Sequence, residues 1–303
     1  MSTSTDLIQR FAIDGHLSIS LDQHGLFRID VANRHGTAQI YLQGAHVTRF
    51  QPAGQQPVLW MSAHSLFAHG KPIRGGVPIC WPWFGPHPSD SSLPAHGFAR
   101  SRLWTLEETA ALHDGRTRVV LALCSNDETM KLWPHAFALH YTITIGATLD
   151  LDLRSDNSGS APFICAEALH TYLTVGDVRQ ISIAGLSGTT YVDKVRQAQR
   201  FTDTGDLTIT AETDRVYLDT TATCTVNDPL LGRQLVIAKD GSRATVVWNP
   251  WIAKAKAMAD FGDAEWPGML CVETVNALDH TLTIPPGGSH HLVAHLATEP
   301  LSR

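Results

Sequence analysis

Residues Leu139 to Ile145 read LHYTITI, and after Gly146 residues Leu149 to Leu153 read LDLDL. Apolar and polar side chains alternate with a period of two. Successive side chains on a strand point to opposite faces, so this stretch predicts two strands, each with one dry face, joined by a turn at the glycine. Short runs of the same kind recur on both sides. LSISL lies at Leu17–Leu21 and LFRIDV at Leu26–Val31. Others fall at Ala38–Leu42, Val119–Leu123, Leu207–Thr210, Thr223–Val226, Leu235–Ala238, Ala244–Trp248, Leu270–Val275, Thr281–Ile284 and Leu292–Leu296. Closely spaced strands with few long helical patterns predict a mainly β fold, a sandwich or a barrel.

Helical signals are few. Ser125-Asn-Asp-Glu128 has the spacing of a capping box ahead of Met130–Trp133, and Pro134 stops it. Trp251–Asp260 (WIAKAKAMAD) follows Pro250 and ends before Gly262. No linker, charge block or repeat interrupts the chain, so residues 1–303 are expected to form a single domain.

Composition narrows the partners. Lys plus Arg total 23 against 29 Asp plus Glu, a net charge of −6, and only 17% of residues are charged. Such a chain lacks the basic surface that nucleic acid or an anionic membrane requires. Positive charge for an anionic ligand must therefore be local. The five cysteines are odd in number, scattered, and never spaced C-x-x-C, which fits small apolar residues in a reducing compartment. The first eleven residues carry Asp6 and Arg10 and no apolar core of a signal peptide, so a cytoplasmic location is expected. The uncharged run Gly75–Ser89 holds four prolines and three glycines and cannot be a membrane helix. Sixteen histidines raise the question of metal, but no H-E-x-x-H occurs. His290 and His291 would point to opposite faces of a strand, so no metal site is expected. A P-loop, a G-x-G-x-x-G and a G-x-S-x-G elbow are all missing, and no cofactor is called for.

Two segments break the strand pattern. Ile73–Pro88 reads IRGGVPICWPWFGPHP and is followed by His96-Gly-Phe-Ala-Arg100. It is too rich in Gly and Pro for a regular strand and too rich in Trp and Phe for a solvated loop. The second is Gly268–Val275, GMLCVETV, an apolar strand with one carboxylate, Glu273. A carboxylate there is costly unless paired, so Glu273 is either an edge-strand group reaching water or a general base tuned by partial burial. On a strand it shares a face with Cys271 and Val275. His170 sits in FICAEALHTYL, where a strand would align it with Ile164, Ala166, Ala168 and Tyr172; it is either a satisfied core histidine or an acid–base group. His96 opens a loop-to-strand entry. Arg74 and Arg100 flank the aromatic segment; each is a surface residue packing on Trp or a fork for phosphate or carboxylate. Trp81, Trp83 and Phe84 are core aromatics or a stacking wall for a sugar. Asp214 is a turn residue or an acceptor for ligand hydroxyls.

Taken in order, IRGGVPICWPWFG, LPAHGFAR, ALHTYL, VDKV, TDRVYL, WNPW and CVET resemble the hexose-6-phosphate mutarotases, the glucose-6-phosphate 1-epimerase branch of the aldose 1-epimerases. The likeness runs from about Leu17 to Leu296. It implies a large antiparallel β-sandwich of the galactose-mutarotase type, with a few short helices and a sugar groove on one sheet. It also implies roles: Glu273 as general base, His170 as general acid, His96 as a second active-site histidine. Arg74, Arg100 and Asp214 correspond to substrate-binding residues. Ala95 stands where relatives carry Gln, so one side-chain contact is missing. The implied enzyme works on a hexose 6-phosphate without a cofactor, and a monomer is expected because no exposed apolar patch can be identified from the sequence. Two other readings keep the same residues: an aldose 1-epimerase for free hexoses, and a non-catalytic sugar-phosphate-binding protein. Lys71 is a further candidate cation for phosphate.

Overall fold

The alternation at Leu139–Leu153 is realised as a hairpin. In the computed structural model, which describes residues 4–301, Phe137–Ile145 pairs antiparallel with Leu149–Asn157, setting Ile145 opposite Leu149 and Tyr141 opposite Leu153. Leu139, Tyr141, Ile143, Leu149, Leu151 and Leu153 are buried and the residues between them face outward. Burying each such side chain contributes about 1.5–3 kcal/mol, and a one-residue slip would turn the whole set to solvent.

This hairpin lies inside an eight-stranded sheet that also holds Thr105–Ala111, Thr117–Cys124, Ser182–Ala184, Cys224–Asp228, Arg233–Asp240 and the long Ser289–Pro300 strand. A second eight-stranded sheet runs Gln199–Thr202, Thr190–Asp193, Thr213–Tyr217, Ala244–Asn249, Met269–Asn276, Glu167–Leu169 and Ile79–Cys80, with Tyr172–Thr174 also paired to Met269–Asn276. Met269–Asn276 is central and buried on both faces. One face packs toward Ser289–Pro300 of the other sheet. Leu17–Leu21, Phe27–Asn33, Gly36–Tyr41 and His46–Pro52 form a separate four-stranded antiparallel sheet. One apolar cluster runs from Phe11 through the sheets to Leu296. The described residues thus form a mainly antiparallel β-sandwich with three short α-helices, Ser4–Phe11, Asp127–Leu132 and Trp251–Ala257.

Local differences from the sequence reading have local causes. The helix at 127–132 is capped by Asn126, not Ser125: the Asn126 side chain accepts from the Glu128 and Thr129 backbone N–H groups, and Thr129 closes the box. The helix at 251–257 stops three residues short of Asp260, where the chain turns to place Asp260 against Arg74. Leu207–Thr210 makes a single bridge, Ile183 to Leu207, rather than a strand. The helix Ser4–Phe11 has no counterpart in the sequence reading.

Among the described residues no helix is long and apolar enough to cross a membrane.

Candidate active site

The FICAEALHTYL segment is three short strands rather than one: Phe163–Cys165, Glu167–Leu169 and Tyr172–Thr174. His170 occupies the break between the second and third. Its backbone N–H donates to Pro78 O at 3.0 Å instead of continuing a ladder. Glu167–Leu169 and Tyr172–Thr174 both pair with Met269–Asn276, so the break holds His170 beside the middle of that strand. The result is that His170 Nε2 lies 3.3 Å from Glu273 Oε1. Glu273 does share its face with Cys271: the strand partners Val246 and Trp248 lie opposite Glu273 and Cys271.

Both groups line a cleft of about 490 Å³, whose walls include Arg74, Phe84, His96, Lys194, Asp214, Trp248, Lys254 and Met258. Glu273 is 1% exposed and His170 8%. Burial holds the Glu273 carboxyl well above the ordinary carboxylate range, and holds the His170 imidazole well below the ordinary histidine range. Each also keeps a buried polar atom with no protein partner, Oε2 of Glu273 and Nδ1 of His170. Unpaired buried polar atoms are costly and rare in a packed interior, so such atoms at a cleft mark where ligand groups belong.

The Gly/Pro-rich segment builds the other wall. Gly75 and Gly76 have φ of 112° and 60°, and a Cβ on Gly76 would sit 2.2 Å from Val47 O. The buried His46 fixes this turn by donating from Nε2 to Gly75 O at 2.8 Å. The turn positions Arg74, whose Nε and Nη2 reach the two carboxylate oxygens of Asp260 at 3.2 and 3.1 Å and whose Nη1 donates to Tyr172 Oη at 3.0 Å. Tyr172 in turn stacks on the His170 ring at 4.8 Å. His96 holds a left-handed backbone, φ 64°, that is uncommon for a side chain of its size. Its Nδ1 accepts from the Gly85 N–H at 3.3 Å, which leaves Nε2 as the protonated, donating nitrogen. Burial, followed by the positive charges of Arg100, Lys194 and Arg74, pushes its pKa down to about 3, so the ring stays neutral. The His96 and His170 rings meet edge to face at 5.7 Å.

Of the six residues singled out in the sequence, Glu273, His170, His96, Arg74 and Asp214 line the cleft. Arg100 stands outside its lining, with Nη2 donating to Ala95 O at 2.9 Å, though its charge is felt by His96, His170 and Glu273. Lys71 is exposed and its carbonyl accepts from Gln43; it is not part of the lining. Trp81 and Trp83 are core residues: Trp81 is packed against Phe98, Trp133 and Phe137, and Trp83 Nε1 donates to Pro94 O. The aromatic walls are Phe84 and Trp248 instead.

Two lysines were missed. Lys194 follows the Thr190–Asp193 strand, lies 3.5 Å from Asp214 and packs 4.7 Å over the Phe84 ring. Lys254, on the Trp251–Ala257 helix, donates to Glu212 at 3.1 Å and lies 4.0 Å from Asp214. Nothing in their local sequence separates them from solvated lysines; the motif VDKV is the one signal at Lys194. Among the described residues, His170, Cys271 and Glu273 also bring three possible metal-ligand atoms within 4.8 Å of one another.

The sequence profile of the aldose 1-epimerase family matches residues 28–296. The chain belongs to that family. The Escherichia coli K12 relative, which bears the provisional name glucose-6-phosphate 1-epimerase, is 41% identical over 242 residues, covering 79% of this chain and 80% of the relative. A plant relative from Cenchrus ciliaris with the same provisional name is 37% identical over 84% of this chain and 79% of its own. The crystal structure of a provisionally named mutarotase from Salmonella typhimurium superposes with a TM-score of 0.88 at 33% identity, covering 96% of both chains. A galactose mutarotase-like structure from Clostridium acetobutylicum, 13% identical, gives a TM-score of 0.70 over 94% of this chain and 98% of its own, a likeness of fold alone.

Proposed function

We propose that this aldose 1-epimerase interconverts the α and β anomers of a hexose 6-phosphate, with Glu273 and His170 as the proton-transfer pair. The observation that carries this reading is the buried contact of 3.3 Å between the two at the floor of the cleft. Burial disfavours charge on both, which favours the state in which the pair holds one proton. That count is the same for a carboxylic acid beside neutral imidazole and for a carboxylate beside imidazolium. Either way one donor and one acceptor face the sugar, which is what hemiacetal opening needs.

The steps are balanced by that single proton. In the carboxylate–imidazolium form of the pair, Glu273 takes the proton from the O1 hydroxyl while His170 gives one to the ring oxygen O5. The C1–O5 bond breaks, leaving an aldehyde and a C5 hydroxyl. Rotation about C1–C2 presents the other carbonyl face, and closure runs the two proton transfers in reverse. His96 donates from Nε2 to a ring hydroxyl, and Trp248 and Phe84 flank the sugar's C–H surface.

The phosphate reading rests on local charge. Arg74, Lys194 and Lys254 line the cleft with Asp214, against a chain that is acidic overall. Arg74 and Lys254 are each hydrogen-bonded to a carboxylate, Asp260 and Glu212. Lys194 makes the looser contact with Asp214, which makes it the readiest to turn to a dianion. One observation favours free hexoses instead: Arg74 is already bonded to Asp260 and Tyr172, and Arg100 lies off the lining. Measuring anomer exchange on glucose and on glucose 6-phosphate separates the two. A preference of tenfold or more in kcat/KM for the phosphate supports the proposal; equal values support the free-hexose alternative.

A further inference from the structure

Cys271 has no place in the proton-transfer scheme, yet it lies on the cleft-facing side of its strand two residues from Glu273, with Trp248 and Tyr172 as its cross-strand partners. It is fully buried and its thiol touches only Met269 Sδ, at 3.8 Å, among hydrogen-bonding partners. Its Sγ, a His170 ring nitrogen and a Glu273 carboxylate oxygen are mutually within 4.8 Å. Tetrahedral zinc binds imidazole nitrogen and carboxylate oxygen at about 2.0–2.2 Å and thiolate sulfur at about 2.3 Å, which places neighbouring ligand atoms roughly 3.3–3.7 Å apart. The His170–Glu273 separation of 3.3 Å already matches such an edge. The remaining polar atoms of the pair, Glu273 Oε2 and His170 Nδ1, are buried and have no protein partner, so ligation by the pair breaks no other hydrogen bond. One sulfur, one nitrogen and one oxygen ligand form a donor set that favours a borderline-soft divalent ion over magnesium or calcium. His170 and Glu273 line the cleft, which supplies the entry path, while Cys271 lies outside that lining.

The geometry points to a regulatory zinc site made of His170, Cys271 and Glu273, in which a bound Zn²⁺ blocks the proton-transfer pair and shuts the enzyme off. Coordination releases the Cys271 thiol proton, and any proton held by Glu273, to solvent. The ion then occupies the lone pairs that the sugar's O1 and O5 protons require, so inhibition is competitive with the sugar. The site itself stands on the placement of the three side chains; its consequence for turnover rests on the anomer-exchange reading above.

The test separates binding from turnover. Cys124 is the exposed thiol, so a Cys124→Ala protein serves as parent. Titrated with Co²⁺, the parent is expected to develop a thiolate-to-cobalt charge-transfer band, which Zn²⁺ displaces. X-ray absorption of the zinc-loaded parent should show one sulfur neighbour at about 2.3 Å with nitrogen or oxygen neighbours at about 2.0 Å. Replacing Cys271 with Ser or Ala should abolish the band, keep the metal-free exchange rate, and raise the zinc concentration for half-inhibition at least tenfold in chelator-buffered zinc. No charge-transfer band and no sulfur neighbour in the parent overturn the site, whatever the enzyme's activity. Equal zinc sensitivity in the Cys271 variants overturns its role in inhibition. Absence of anomer exchange in the parent would refute the catalytic reading while leaving the spectroscopic result to stand.

Discussion

His170 Nε2 and Glu273 Oε1 lie 3.3 Å apart at the floor of the cleft, brought together by a break in one strand segment beside the centre of another. Low polarity disfavours ionising either group, and each therefore departs from its ordinary pKa toward its neutral form.

The pH profile should carry that signature. A second proton on the pair removes the acceptor, and loss of the shared proton removes the donor. The depressed histidine sets the acid limb well below pH 6.5, and the raised carboxyl moves the alkaline limb well above pH 4.5. The dependence of kcat/KM on pH is expected to be a plateau between an acid and an alkaline falling limb. A single titration centred near pH 6.5 would show an ordinary, solvated histidine instead.

Phosphate discrimination should depend on Lys194 more than on Lys71. A hydrogen bond to a charged group is worth about 1.5–3 kcal/mol. Lys194→Ala is therefore expected to raise KM for glucose 6-phosphate by roughly tenfold or more, while free glucose changes little. Lys71→Ala, at an exposed position, should change neither. Steady-state kinetics on both sugars checks this, and equal losses on the two sugars for Lys194→Ala would remove the phosphate assignment.

Glu167 is a buried carboxylate outside the cleft lining. It accepts from Ser155 Oγ and Asn276 Nδ2, both at 3.1 Å, and burial pushes its pKa up to about 7. An acid with a raised folded pKa binds a proton more tightly in the folded chain, so stability is lost as pH rises from the unfolded value near 4.5 to about 7. That difference corresponds to about 3 kcal/mol. Glu167→Gln can accept from Asn276 Nδ2 with its amide oxygen and donate to Ser155 Oγ with its amide nitrogen, without the ionisation. Its unfolding free energy should gain on the wild type across that window and level off above pH 7. A pH-independent difference between the two proteins would contradict the account.

Gly97 shows what the HGFAR motif is for. With φ at 72°, a Cβ there would lie 1.9 Å from Trp81 O, a backbone atom that cannot swing away. Gly97→Ala is expected to destabilise the protein by at least ~2 kcal/mol and to move His96 out of register, lowering kcat/KM as well as Tm. Retention of both Tm and activity would show that the close approach is not needed.

These cases also show how far the sequence could be read. The strands of LHYTITI and LDLDL were legible because one face is dry and the other wet, and a period of two survives in the residue types. The Glu273 signal was legible for the opposite reason, a lone carboxylate in an apolar run. The break at His170 was not, because FICAEALHTYL reads as one apolar strand and the kink is imposed by Pro78 and by pairing with a distant strand. Trp81 and Phe84 look alike in sequence, and the turn at Gly85 and His96 decides which one meets the cleft. Lys194 and Lys254 reach the cleft through tertiary placement alone.

The central claim is that Glu273 and His170 together open and close a hexose-phosphate ring. Exchange NMR on glucose 6-phosphate, with the anomeric protons followed at equilibrium, measures it without a coupling enzyme. The account predicts rapid α/β exchange with wild-type protein and a fall of about 10²–10⁴-fold for Glu273→Gln and for His170→Asn, with the double variant little worse than either. Wild-type exchange no faster than the buffer, or near-wild-type exchange in either folded variant, would contradict it.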